Sequence, residues 1–278
     1  MSRGYLTFAQ NNSQTDYLNL AYVQALSIKA TQTINSCAVV VDKHTMELVT
    51  DKHRDVFDYI ILLPGIDNSS DDFWKLKNEW KAYVASPYLE TVKIEADMLF
   101  TANIDHWWDI MSQKDICFTT DVVNFRGEVS NSRLYRKLFD LNNLLNVYNG
   151  FFYFKKSLLA EQFFNYAKDI YENWDSVRKE ILVEADTEQV TTDVVFAIAC
   201  KLIGEEKCYL PNWNVPRFAH MKGAINGFHS TEDWRTKLIY QFDQSTLTVG
   251  FTRQAVPFHY HYKDFITKEL VSHYETLA

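Results

Sequence analysis

Glycine and proline are scarce in this sequence, eight and five residues among 278. The glycines (Gly4, Gly65, Gly127, Gly150, Gly204, Gly223, Gly227 and Gly250) never take the G-x-G-x-x-G or G-x-x-x-x-G-K-S/T spacing. The chain therefore lacks the dinucleotide fingerprint and the P-loop, two common ways of cradling a phosphate in backbone amides. Cysteine is equally sparse. Cys37, Cys117, Cys200 and Cys208 form no C-x-x-C pair and have no His or Cys partner at zinc-finger spacing, so buried free thiols in a reducing compartment are expected. A basic excess is also missing: 28 Lys and Arg stand against 36 Asp and Glu, a net charge of −8. A grip on nucleic acid or anionic lipid spread over the whole surface is excluded by that balance, although a local basic patch is not. No signal-peptide block opens the sequence, and no run approaches the roughly 20 apolar residues needed to cross a bilayer. A soluble, cytoplasmic protein with no membrane partner is the expectation.

Core material is plentiful. Apolar residues make up 47% of the chain and aromatics 15%, with 16 Tyr and 19 Phe, enough for one large domain. Apolar runs at Gly4–Ala9, Ser36–Val41, Asp58–Leu63, Thr91–Ile94, Ile116–Thr120 and Asn146–Phe154 read as strands. Helical spacing appears over Asp16–Lys29, Asp71–Ala85, Leu158–Trp174, Thr192–Ile203 and Tyr262–Thr276. In Thr192–Ile203 the Val and Ile content makes a strand a competing reading. Apolar strands alternating with helices predict an α/β fold with a mainly parallel sheet covered on both faces. The division expected is a catalytic domain over 1–230 and a C-terminal extension over 231–278 packed on it.

Glu95 and Asp97 sit two residues apart at the end of the Thr91–Ile94 strand, where open α/β sheets place ligands. Alternation sends residues i and i+2 to one face, so both carboxylates can converge on a hard divalent cation such as Mn²⁺ or Mg²⁺. Such an ion would neutralise a diphosphate without a glycine-rich loop. Taken alone, an acid-x-acid pair is more often simply solvated.

Tyr88 to Asp109 resembles the segment around the metal-binding DxD motif of GT-A glycosyltransferases, in particular the glycogenin-like and lipopolysaccharide galactosyltransferase group. Lys93, Ile94, Glu95-Ala96-Asp97 and Trp108-Asp109 stand where that group has a basic residue, a hydrophobic strand, Asp-Ala-Asp and a Trp-Asp pair. Glu95 departs from the usual first Asp. Four further stretches fit the same resemblance, in the family's order along the chain. Thr7-Phe8-Ala9-Gln10-Asn11 resembles the strand and loop that hold nucleobase and ribose, with Asp16 as a further contact. Tyr148-Asn149-Gly150 is similar to the Asn-x-Gly strand facing donor sugar and acceptor, although Asn and Gly are adjacent here. Thr191-Thr192-Asp193-Val194 resembles the Asp-Gln-Asp-Val stretch whose acid contacts the transferred sugar. Last comes His220-Met221-Lys222-Gly223, similar to the start of the late His-x-x-Gly-x-x-Lys motif, with the lysine displaced.

The resemblance implies a GT-A type, single Rossmann-like domain with a mixed, mainly parallel central sheet and a C-terminal extension. It implies transfer of a sugar from a nucleotide diphosphosugar, UDP-sugar favoured, with Mn²⁺ or Mg²⁺ held by Glu95, Asp97 and His220. Lys93, Lys222 and Gly223 would serve the diphosphate, and Asn149 and Asp193 the reacting sugar. Whether Asp193 is a general base or a positioning group is left open, and so is the stereochemical outcome.

One basic stretch, Asn124 to Lys137, carries Arg126, Arg133, Arg136 and Lys137 against the single acid Glu128. It borders the expected acceptor side, so an anionic acceptor and an ordinary solvated helix face are both open readings. The opening segments Gly4–Asn12 and Tyr17–Lys29 also resemble small glycosyltransferases encoded by tailed phages, some of which glycosylate 5-hydroxymethylcytosine or related hydroxylated bases. Double-stranded DNA bearing such bases is accordingly placed ahead of any single glycan or protein as acceptor, the target base leaving the stack. His259 and His261 could contact it there, although Phe258-His-Tyr-His-Tyr262 reads first as a strand edge with ordinary alternation. Two alternatives stand: a GT-A-like binding protein without catalysis, and a metal-dependent nucleotidyl or phosphoryl transferase.

Overall fold

Two short strands buried at every position set the centre of the molecule: β2 (Cys37–Val41) and β4 (Glu90–Ile94). Burial on both faces is what a parallel strand covered by helices on each side requires. A computed structural model describes residues 2–69, 75–130, 136–185, 190–211 and 215–278. In chain order the strands are β1 (Arg3–Phe8), β2, β3 (Tyr59–Leu62), β4, β5 (Met98–Leu99), β6 (Ile116–Thr119), β7 (Tyr148–Lys155), β8 (Ala219–His220), β9 (Tyr240–Asp243), β10 (Thr246–Val249), β11 (Thr252–Arg253) and β12 (Phe258–His259). The main sheet has the order β3-β2-β1-β4-β7-β6. β1 to β4 are parallel, and β7 runs antiparallel to both β4 and β6. The mixed, mainly parallel α/β sheet expected from the sequence is the one present.

From β1 the chain steps to β2 on one side and later to β4 on the other. The strand order thus reverses between β1 and β4, and a crevice opens at their carboxyl ends. Residues 9–16 and 95–97 leave the sheet at that point.

Two cores flank the sheet. On one face the helix Tyr17–Thr31 is buried on nearly every side, because the sheet covers one flank and the helix Lys268–Glu275 another, with Tyr22 Oη donating to Glu275 Oε1 at 3.0 Å. Across the sheet, helices Leu158–Glu172 and Thr192–Ile203 pack a phenylalanine cluster: Phe118, Phe152, Phe154, Phe163, Phe164 and Phe196. Burying each such ring is worth about 1.5–3 kcal/mol. Thr192–Ile203 is helix rather than strand, its apolar content serving a mostly covered position.

Two expected helices are shortened. Asp71 to Trp74 lie outside the described residues; the remainder is a 3₁₀ turn, Leu76–Lys81, followed by a short α-helix, Ala82–Ala85. At the carboxyl end Tyr262–Thr276 divides into a 3₁₀ turn, Lys263–Phe265, and the helix Lys268–Glu275. The break falls where Thr267 turns extended and caps the second piece, its hydroxyl accepting from Leu270 N–H.

A small second sheet, β5-β12-β8, decides the site. β12 lies antiparallel to β5 and parallel to β8, with His259 in register with His220 and Met98. Residues beyond 231 thus supply a strand lying directly beside the segment that leaves β4. β9, β10 and β11 form a separate antiparallel ribbon. All four cysteines are free and buried, and no helix among the described residues is long and apolar enough to cross a membrane.

Candidate active site

A cavity of about 430 Å³ opens where the strand order reverses, lined by Gln10, Tyr17, Glu79, Glu95, Asp97, Lys222, His259, His261 and Lys263 among others. A neighbouring cavity of about 780 Å³ lies against Asn11, Asp42, Leu63 and Asp67, at the ends of β2 and β3. Lys75 lines both.

Three ligand-bearing side chains converge on the first cavity. One atom each from Glu95, Asp97 and His259 lies within 4.8 Å of the others. Two oxygens and an imidazole nitrogen at that separation fit a hard or borderline divalent ion such as Mn²⁺ or Mg²⁺. β4 ends at Ile94, and the turn that follows is tied down from below. Thr7 Oγ1 donates to Ile94 O at 3.0 Å, Glu95 N–H donates to Gly150 O at 3.0 Å, and Gln24 Nε2 donates to Glu95 O. Gly150 leaves room for the Glu95 carboxylate: a Cβ there would stand 3.2 Å from Glu95 Oε2 and 3.1 Å from the Phe218 ring.

Asp97 is 3% exposed. Burial by itself would raise its pKa, but His259 and then Lys263 more than offset that and hold the carboxyl well below its usual range. His259 Nε2 lies 2.8 Å from Asp97 Oδ2 and 3.3 Å from Glu95 Oε2. On its other edge, His259 Nδ1 meets His220 Nδ1 at 2.5 Å, the rings stacked with centroids 4.6 Å apart. Burial above all, and then the charges of His259 and Lys222, push His220 well below the ordinary histidine range. His261 is driven down to about 3 by the same causes, with Lys263 adding to them.

The ligand-competent set therefore contains His259, where the sequence pointed to His220. His220 stands one layer behind, its ring stacked on that of His259. From the sequence, His259 and His261 were offered only as contacts to an extruded base, and nothing there set His259 beside Glu95 and Asp97. The signal available was His259-x-His261-x-Lys263, three polar residues in alternation at the end of an apolar strand, but its meaning depends on pairing with a strand 39 residues earlier.

The other expected residues divide into those at the cavity and those beneath it. Gln10 lines the first cavity and Asn11 the second. Gln10 is held by Asn78, Asp42 and Asp67. Asn11 and Asp16 lock the loop, Asn11 Nδ2 donating to Asp16 Oδ1 at 3.0 Å while Asp16 caps the first helix. Thr7 and Ala9 are buried in the framework. Lys93 is wholly buried, ion-paired with Glu79, and it is Glu79 that reaches the cavity. Burial pushes the Glu79 carboxyl up despite Lys93 beside it. Lys222 lines the cavity. Gly223 has a packing reason instead: a Cβ would fall 2.1 Å from His229 O.

Asn149 and Asp193 are brought together, Asn149 N–H donating to Asp193 Oδ1 at 2.8 Å. Asn149 Oδ1 is buried with no hydrogen-bond partner among the described residues. Arg136 corrects an expectation. Rather than facing an acceptor it is 5% exposed, its guanidinium between Phe139 and Tyr148 at 3.9 and 4.0 Å and donating to Asp193 Oδ2 at 2.5 Å. Lys137 pairs with Glu184 at 2.7 Å and Arg126 with Glu128 at 3.9 Å, both at the surface. Arg133 lies outside the described residues. Arg136 and Lys137 are thus matched by acids from elsewhere in the chain, and Arg126 by the stretch's own Glu128.

No protein-family model and no curated sequence matches the chain. Among solved structures it is similar to the bifunctional glycosyltransferase WbbM (TM-score 0.54, 13% identity), the match covering all of this chain and 50% of that one. Weaker likenesses are to mouse xyloside xylosyltransferase 1 (TM-score 0.46, 9% identity, 76% of this chain and 85% of that one) and to GlyE of Streptococcus pneumoniae TIGR4 (TM-score 0.45, 8% identity, 76% and 46%). This chain thus spans about half the length of WbbM and of GlyE. At such identities the likeness is one of fold, and it agrees with the GT-A type architecture expected from the sequence.

Proposed function

We propose that the protein is a divalent-metal-dependent glycosyltransferase that moves a sugar from a nucleotide diphosphosugar, UDP-sugar favoured, to a hydroxyl acceptor. The observation carrying this reading is the convergence of Glu95, Asp97 and His259 at the sheet's reversal point, beside a cavity also lined by Lys222 and Lys263. The fold shared with the bifunctional glycosyltransferase WbbM supports the reaction class.

Glu95, Asp97 and His259 would hold Mn²⁺ or Mg²⁺, which when bound supplies Lewis-acid stabilisation of the departing diphosphate. The chain's own contribution is positional. Lys222 and Lys263 place positive charge where negative charge builds on the leaving group. Glu79 presents a hydrogen-bonding group to the cavity, while Asn149, buried beneath it, would act on the sugar only through a side-chain rearrangement. Asp193, gripped by Arg136 and by Asn149 N–H, is suited to holding strand β7 in place rather than to moving a proton. The second cavity, with Asn11 and Asp42, has the position and size for the nucleoside.

Titration of UDP with and without Mn²⁺ tests the reading. Tight UDP binding is expected only with metal, and Asp97→Ala should weaken it at least 100-fold. UDP binding indifferent to both metal and Asp97 would refute the assignment, and turnover of a nucleoside triphosphate without sugar transfer would favour the phosphoryl-transfer alternative.

The finer acceptor proposal, a hydroxylated base in double-stranded DNA, rests on Arg126, Lys137 and Arg133 now that Arg136 is turned inward. Incubation of hydroxymethylated DNA with a nucleotide-sugar panel should add one sugar mass per modified base. Transfer confined to glycans or protein would overturn it.

A further inference from the structure

Asp97 Oδ2 already carries a cation. The Lys263 ammonium is ion-paired with that oxygen, the same atom that lies 2.8 Å from His259 Nε2. Asp97 is thus both a member of the ligand-competent trio and the anchor of a lysine. Lys263 opens the 3₁₀ turn after β12, and that turn is pinned by Phe265, buried against Tyr260 and Trp234. The backbone is fixed, so any change of partner must come from the flexible side chain, which reaches the cavity and passes 6.0 Å from the Tyr17 ring.

Charge counting around the cavity shows what a divalent ion would do there. Glu95 and Asp97 together carry two negative charges, and Glu79 is already matched by Lys93. A dication on Glu95 and Asp97 satisfies both carboxylates. Lys263 is then left without its counter-ion, in a half-enclosed site that also contains Lys222. Such a site disfavours metal on its own and favours metal together with an added anion.

We propose that Lys263 is an exchangeable counter-cation: divalent metal displaces its ammonium from Asp97, and the released ammonium pairs with the diphosphate of the incoming donor. Metal and nucleotide therefore bind with positive coupling, and reciprocity requires each to tighten the other by the same factor. The proposal rests on the metal-dependent reading of this site.

Calorimetric titration of Mn²⁺, with and without saturating UDP, tests it on the wild type, Lys263→Met and Lys263→Arg. In the wild type UDP should raise Mn²⁺ affinity at least tenfold. Lys263→Met should bind Mn²⁺ alone at least tenfold more tightly than wild type and lose most of the coupling, whereas Lys263→Arg should keep both weak metal binding and coupling. Unchanged or weaker Mn²⁺ binding by a Lys263→Met protein with a native circular dichroism spectrum would overturn the exchange. So would UDP binding that needs no metal and disappears in Lys263→Met, since Lys263 would then be a permanent substitute for the ion. Failure of the underlying metal reading has a different signature: Asp97→Asn would leave Mn²⁺ binding unchanged, or wild type would bind no Mn²⁺ with or without UDP.

Discussion

His259 and His220 are two rings in one stack with different work. His259 faces the carboxylates through Nε2, while His220 meets only its back edge. A ligating histidine is commonly oriented by whatever binds its second nitrogen, and loss of that partner typically costs 10–100-fold in metal affinity. His259→Ala should accordingly abolish measurable Mn²⁺ binding, and His220→Ala should reduce it by about 10–100-fold. Electron paramagnetic resonance of free Mn²⁺ reads both. Equal and complete loss in the two variants would instead make His220 a ligand in its own right, as the resemblance of His220-Met221-Lys222-Gly223 to the family motif implied. Lys93 and Arg136 teach the same lesson from the other direction: each basic residue expected at a ligand is buried on an acid of its own, Glu79 and Asp193.

At the scale of elements, the segment after β5 is fastened to the end of the first helix by one carboxylate. Asp105 accepts from Thr33 N–H at 2.8 Å, Thr33 Oγ1 at 2.5 Å, Ile34 N–H at 3.3 Å and Asn103 Nδ2 at 2.8 Å. Burial works to raise its pKa, but the hydrogen bonds from Thr33 and Asn103 prevail and lower it. A carboxyl lowered in the folded state stabilises fully above its unfolded value, about 4, and that contribution fades as pH falls through the lower folded value. Asp105→Ala should lose about 0.5–1.5 kcal/mol near neutral pH, the usual net worth of a hydrogen bond, because water reaches Thr33 and Asn103 once the carboxylate is gone. The difference from wild type should shrink below about pH 4. Urea denaturation at pH 7 and pH 3 checks both points; a constant difference would assign the loss to packing.

For the whole molecule, the site is a junction. Gln10 comes from the end of β1, Glu95 and Asp97 from the end of β4, Lys222 from beyond β8, and His259 and Lys263 from β12 and the turn after it. A ligand bridging these segments stabilises only the folded chain, by about 2.7 kcal/mol at 100 times its Kd. Mn²⁺ with UDP should therefore raise the thermal midpoint by several degrees, Mn²⁺ alone by much less, and neither should move that of Asp97→Asn. Scanning calorimetry provides the readout, and an equal shift by Mn²⁺ alone would contradict the coupling.

Much of the architecture was legible because it is written locally. β1, β2, β4 and β7 are short apolar runs, and their alternation with helices leaves little choice but a covered parallel sheet. Glu95 and Asp97 were legible for the same reason, since a strand end and a two-residue spacing are properties of adjacent residues. Three things were decided only by tertiary structure: the placing of His259 rather than His220 beside the Glu95 and Asp97 carboxylates, the ion pair of Lys263 with Asp97, and the inward turn of Arg136. Each depends on pairing between segments far apart in the chain, β12 beside β8 and β5, or Arg136 against Asp193 57 residues later. A side chain's type can be read from the sequence, but its partner is set by where the backbone brings an opposing charge in a place water cannot reach.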